Sequence, residues 1–444
     1  MGESSDEQSD LLQKTDDTWT RKDGTRKDWT RKDWILLFLG LLINVGDGIE
    51  IYLPGVLTQY VACEIGVNDW QEGILGCILY LTMGITTFAA APLSTRFGRR
   101  ETILLSLYGS IVSTIVCSVA GNYLTLLLSR ALIGFTVGLN ISVTYVFQAE
   151  KASSKKIVNT LILVSSLGYS VGSIWIPVIA YFSLDLLGWR TFLLIASLPI
   201  FIPPILILHI FLKDSSNLET ITQAEPTESG EVEAEPTEDG EVEAVEVPNF
   251  KMRLFKLCFF AIINSYQGWG TILLLPSLIR LFNVKEVGGE GTNCETVTQG
   301  NQFFLLAFVA GAAGLGRIAS PIIRKKIRFR ILYTSLAVLI LASYTMLLLI
   351  EENLIVIVVT TFLGKLVYGM ISMEKNYISY DVRYFGKNGM AIGSGLMQGA
   401  GSMAAVAGTA LVSFASPQIA IIAGLVLSVV QILVVNSMEE QDQW

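Results

Sequence analysis

The stretch 34–58, WILLFLGLLINVGDGIEIYLPGVLT, decides how the whole chain is read. It is apolar for longer than the roughly 20 residues that a helix needs to cross a bilayer, yet it carries Asn44, Asp47 and Glu50. Two carboxylates have no place in a plain membrane anchor. Charged groups at such depth are costly and by default mark a route for solute or ions.

Working outward, eleven further stretches have the same length and apolarity: 72–93, 101–120, 123–148, 158–182, 190–212, 254–280, 301–323, 330–350, 353–374, 389–412 and 417–437. Six spans precede residue 213 and six follow residue 251, which predicts an all-α membrane protein of twelve transmembrane helices in two parallel six-helix repeats. Composition agrees. Of 444 residues 52% are hydrophobic and only 16% charged, with a mean hydropathy of +0.54, whereas a soluble chain carries about 25% charge.

The polar remainder divides the chain. A tail at 1–33 precedes the first half at 34–212, a linker at 213–251 precedes the second half at 252–437, and a short tail follows at 438–444. Between Lys213 and Lys251 every ionisable residue is acidic, and AEPTESGEVE (224–233) is repeated with Asp239 for Ser at 234–243. Such a run repels itself and stays extended. It reads as a tether or as a regulatory docking segment. The net charge of −8 is concentrated there. The polar first 33 residues offer no cleavable signal peptide. Of 31 Lys and Arg, 24 fall on the side of the N-terminus and of the even-numbered loops; only Arg190, Arg280 and Lys285 fall on the other. That asymmetry places both termini in the cytoplasm.

Catalytic and metal chemistries find little material. There is one histidine, His209, within the apolar run 205–212, and the five cysteines (63, 77, 117, 258, 294) form no CxxC pair. No GxxxxGK[ST] loop is present to use ATP. An enzyme is not expected, nor a cofactor, a metal or a nucleic-acid partner. Cys63 and Cys294 each follow the first helix of a half on the non-cytoplasmic side. They are read as a bridge or as two free thiols.

Intramembrane polar residues are the candidates for function. Asn44, Asp47 and Glu50 recur at i, i+3, i+6, so neighbours share a face that rotates gradually. Counting residues from the helix ends puts Asp47 and Arg130 each about 10 Å from the outer boundary. This predicts an ion pair, for packing or for solute and proton coupling, with Glu50 a second carboxylate nearer the outer mouth. Lys365 is roughly 18 Å deep; it binds an anionic solute group, or packs with its head snorkelling to water. Tyr266, Gln267 and Trp269 interrupt the seventh span as ligand contacts or interfacial anchors. Gly134/Gly138, Gly168/Gly172 and Gly395/Gly399 carry the small-xxx-small spacing of close helix packing.

Several of these residues carry a resemblance. Thr95-Arg96-Phe97-Gly98-Arg99-Arg100 resembles the D-R-x-G-R-R gating loop of the major facilitator superfamily, and Arg130…Gly134…Gly138 resembles its fourth-helix motif. Within that superfamily, Gly46-Asp47-Gly48-Ile49-Glu50 and Trp269-Gly270-Thr271…Leu275-Pro276-Ser277-Leu278-Ile279-Arg280 are similar to segments of the synaptic vesicle glycoprotein 2 family. Gly188-Trp189-Arg190 with Ala196-Ser197-Leu198-Pro199 is shared with its related transporters. The chain departs from the pattern in three ways. Thr95 stands where the loop has an acid, 324–328 (RKKIR) also lacks one, and only about 20 residues (281–300) join helices 7 and 8, where the vesicle glycoproteins carry a long domain.

The resemblance implies the major facilitator fold, with helices 1, 4, 7 and 10 lining a cavity. The expected function is secondary transport of a small organic, charged solute by alternating access, with protons or cations as coupling ions, by a monomer in the lipid bilayer. The alternative is a non-transporting vesicle membrane protein with a regulatory or scaffold role. Glu7-x-x-x-Leu11-Leu12 matches the acidic dileucine pattern of endosomal sorting, so vesicular or endosomal membrane stands beside the plasma membrane as the expected location.

Overall fold

A computed structural model describes residues 29–212, 250–270, 272, 274–275, 277–278, 300–327, 329–349, 353–380 and 382–437. The first half comprises α1 (Arg31–Ile65), α2 (Asp69–Phe97), α3 (Arg99–Ser118), α4 (Tyr123–Lys151) and the run Lys155–Ile210. That last run is two helices meeting at Gly188, whose φ of 70° ends one arm (α5, 155–187) and starts the other (α6, 189–210). The second half comprises α7 (Phe250–Ser265), continued by a π turn at Tyr266–Gly270, then α8 (Gly300–Arg324), α9 (Phe329–Leu349) and α10 (Leu354–Ser379). It ends with α11 (Val382–Ala410), which also closes on a π turn, and α12 (Pro417–Ser437). Among the described residues, with that run divided at Gly188, twelve helices stand where twelve spans were expected, and ten of the helical runs are long and apolar enough to cross a membrane. The linker, the dileucine pattern, Cys294 and the side chain of Cys63 lie outside the described residues.

Local chemistry sets the helix starts. Asn68 caps α2 in a reciprocal capping box with Gln71, Asn122 caps α4, Ser154 caps α5 and Asn353 caps α10, each supplying an acceptor to a free backbone N–H. Between α2 and α3 the chain needs only Gly98, at φ 92°, to turn.

The radial order of residues is inverted relative to a soluble protein. Phe38, Ile85, Leu128, Leu206, Phe304 and Leu433 face outward, while Asn44, Asp47, Glu50, Arg130, Arg317, Lys365 and Lys375 are buried. Buried hydroxyls satisfy themselves on the preceding turn, as Thr87 does on the Met83 carbonyl at 2.7 Å. Lipid is the solvent that such a surface requires.

Within each half, selected helix pairs meet backbone to backbone. A Cβ on Gly134 or Gly138 would strike the Leu79 or Met83 carbonyl of α2; one on Gly168 or Gly172 would strike the Leu41 or Val45 carbonyl of α1. In the second half Gly316 and Gly369 hold α8 and α10 together in the same way. Between the halves, along α2–α11 and α5–α8, the facing atoms are mostly side chains: Gly73 meets Phe414, Gly84 meets Met403 and Gly399 meets Phe88. Among these glycines the nearest backbone atom across the seam is the Thr87 carbonyl, 3.4 Å from a Cβ on Gly395.

Candidate substrate pathway

The three polar residues of α1 diverge into three environments, as their rotation along the helix requires. Asn44 faces the seam between the halves, where it accepts a hydrogen bond from the Tyr145 hydroxyl at 2.9 Å. Asp47 turns toward α4, and Asn140 Nδ2 lies 3.2 Å from both of its oxygens; Thr144 in turn donates to Asn140 Oδ1 at 2.5 Å. Glu50 points into the first half, accepting from Thr114 of α3 at 3.1 Å, while its second oxygen is buried without a hydrogen bond.

The expected Asp47–Arg130 pair does not form. Arg130 acts electrostatically on Glu50, whereas the charge acting on Asp47 is Glu50 itself. The depth count ended the first span at residue 58, but α1 continues to Ile65. That extension moves Asp47 further from the outer end, and Glu50 takes the level of Arg130.

A small cavity of about 30 Å³ lies between the halves. Asn44, Tyr145, Ser166 and Tyr169 line it from the first half, and Trp269, Arg317, Tyr368, Lys375 and Gln398 from the second. Lys375 donates to Gln398 at 3.0 Å, and its ammonium stands 5.9 Å from the centre of the Trp269 ring. Arg317 donates to the Ser170 hydroxyl and stands 5.2 Å from Tyr169 and 5.9 Å from Tyr368. Contacts between the halves flank the cavity. On the side of the chain termini, Tyr145 stacks on Tyr380 at 5.0 Å and Asn376 donates to Ser166 at 3.1 Å. On the opposite side Tyr60 stacks on Phe303 and Trp70 packs on Phe414. Beyond Tyr380 a wider vestibule of about 480 Å³ is lined by Lys155, Lys156, Arg324, Lys325 and Tyr377.

Of the sequence candidates, Asn44 and Trp269 reach this cavity. Tyr266 and Gln267 turn away to α12, hydrogen-bonding the Ala420 carbonyl (2.8 Å) and Ser428 (3.1 Å). Lys365 donates to the Gly268 carbonyl at 2.5 Å and lies 5.7 Å from the Tyr368 ring centre, lining a separate recess of similar size with Gln267 and Tyr344. Arg317, Lys375, Asn140, Tyr145, Tyr169 and Tyr368 are not among the candidates that the sequence offers. The signal for the two cations was present, since both are charges inside apolar spans; Lys375 falls one residue past the expected end of the tenth span but well inside α10.

The gating-loop residues form a clasp at the α2–α3 turn. Arg99 makes two hydrogen bonds to Glu150 at the end of α4 (2.5 and 2.6 Å) and one to Ser94 (3.1 Å). Arg100 holds the Leu208 carbonyl and pairs with Glu101. Arg96 is exposed over Phe97, and Gly98 supplies the turn. The second half repeats the clasp between Arg324 and Glu374 at 2.9 Å, with Ser320 also donating to Glu374. At the far end of the first half, Trp189 and Arg190, presented by the turn at Gly188, both hydrogen-bond Glu64. The Arg190 bond holds the Glu64 carboxyl below its usual range.

Two helical repeats enclosing a central charged cavity define a membrane carrier. The model of the Major Facilitator Superfamily matches residues 36–436, and the chain belongs to that superfamily. It is 22% identical over 261 residues to the synaptic vesicle 2-related protein of Xenopus laevis, a match covering 55% of this chain and 47% of that protein. It is 30% identical over 118 residues to synaptic vesicle glycoprotein 2A of Rattus norvegicus, covering 27% and 16%. These matches take in about half the length of the curated relatives or less. Among solved structures, the human organic anion transporter MFSD10 (TETRAN) superposes with a TM-score of 0.62 over 92% of this chain and 100% of that one. At 15% identity it shares the fold.

Proposed function

We propose that this protein is a secondary transporter moving a small, charged organic solute through the cavity between its halves by alternating access, with both termini in the cytoplasm. The observation that carries the reading is the cavity itself: both halves line it, buried charges of the second half face it, and side-chain contacts that can part flank it on either side. Asp47 and Glu50, both buried in the first half, are the candidate groups for proton or cation coupling. Arg99 and its partner Glu150 brace the turn where Thr95 replaces the family's acid, which favours a working carrier over a transport-inactive scaffold. The vesicular names of its relatives and the dileucine pattern support residence in a vesicular or endosomal membrane.

Uptake of a mixed panel of organic ions into proteoliposomes tests the reading. Saturable uptake that responds to an imposed pH gradient is expected, and in Glu50→Gln the gradient no longer drives accumulation while exchange persists. Absence of saturable uptake for every member of the panel would refute transport.

A further inference from the structure

Resting on the transport reading, we infer that the solute is a small organic anion, whose oxyanion head is held between Arg317 and Lys375 and whose uncharged body lies against Asn44, Tyr145 and Ser166. The charged groups that line the cavity are these two cations. Both are buried, and among the described residues no carboxylate approaches within 4.0 Å of either. Arg317 keeps a buried Nε without a hydrogen bond, and the Trp269 indole N–H beside Lys375 is likewise unsatisfied. Buried donors left in that state are costly; an oxyanion supplies the acceptors they lack, and a guanidinium matches its planar geometry.

The aromatic walls need a separate argument, because rings around a cavity can instead mark a site for organic cations. Here the ring faces are already taken. Arg317 stands over Tyr169 and Tyr368, and Lys375 over Trp269, all within 5.9 Å. An incoming cation would meet two like charges at the faces it needs. Nor does the cavity offer an acid to a solute ammonium: Asp47 is turned to Asn140, and Glu374, next to Lys375 in sequence, is turned to Ser320 and Arg324. The rings therefore orient the protein's own cations. The first half adds neutral hydrogen-bonding groups, which suit an uncharged body with oxygen or nitrogen atoms.

The test uses three probes of like size and different charge: benzenesulfonate, benzenesulfonamide and benzyltrimethylammonium. Purified full-length protein is heated with each, and counterflow of each is measured in proteoliposomes. Benzenesulfonate is expected to raise the unfolding temperature and to be exchanged, with at least tenfold preference over the other two. Arg317→Gln and Lys375→Gln should each remove that stabilisation, and Lys375→Arg should retain it. If Arg317→Gln does not fold, the wild-type charge preference and the Lys375 pair decide. Stabilisation and exchange of benzyltrimethylammonium in preference to the sulfonate would overturn the anion assignment while leaving transport standing. If none of the three binds or exchanges while the mixed panel shows saturable uptake of other solutes, the assignment of this site falls alone; if the panel also fails, both readings fall.

Discussion

The two halves repeat one another in helix order and packing, yet they bury opposite charge. The first half encloses Asp47 and Glu50, with Arg130 beside the latter; the second holds Arg317, Lys365 and Lys375. Even the shared clasp differs: Arg99 and Glu150 are both partly exposed, whereas Glu374, the partner of Arg324, is 1% exposed. A duplicated backbone thus sets the positions, and the two copies differ in side-chain charge, with the proposed coupling carboxylates in one and the proposed anion-binding cations in the other.

The clasp gives the sharpest way to break this comparison. Arg324→Gln leaves a buried carboxylate with Ser320 as its remaining partner among the described residues, and a loss of about 3 kcal/mol is expected; adding Glu374→Gln should recover most of it. Thermal unfolding in detergent measures both, and a single variant as stable as wild type would show the charge is not buried in solution. Next is Asp47→Asn, expected to lower pH-driven accumulation about tenfold, or ~1.4 kcal/mol, with counterflow retained. Unchanged accumulation would move the coupling role out of Asp47. In the first half, Arg99→Gln breaks a pair open to water and should cost only about 0.5 kcal/mol, so a loss equal to that of Arg324→Gln would erase the asymmetry.

The smallest effect is expected at Glu64. Its carboxyl is held down in the folded protein, so the tie to Arg190 contributes above the ordinary carboxylate range and is lost only as pH falls through the lowered value. Glu64→Gln should shift the unfolding temperature slightly at pH 7 and by less as the pH falls below the ordinary carboxylate range; a shift that grows with acidification would reverse the assignment.

The twelve helices were legible because apolar length is a property of the chain itself. Their ends were less so. α1 runs to Ile65 because nothing in 59–65 competes with the helix, and the loop expected at 183–189 shrinks to Gly188, the one residue there with positive φ. Those few residues of extra length were enough to mispair Asp47 with Arg130. The cavity was legible only as a set of intramembrane charges, since burial pressure acts on a residue wherever its helix turns. Which charge faces the seam depends on helix rotation, and rotation separates Lys375 from the adjacent Glu374.

The glycines of α4, α5, α8 and α10 have a mechanical consequence. Where two helices touch through carbonyls, no rotamer can change to admit sliding, so each such pair transmits force as a single strut. Where Phe88, Met403 and Phe414 carry the contact, rotamer changes can exchange one set of neighbours for another at little cost. At these glycine contacts the seam between the halves is therefore more compliant than the carbonyl-packed pairs within them. Widening a strut, as Gly172→Ala would, converts load-carrying backbone into a second compliant layer, and motion begun at one face would be spent inside a half before it reached the other.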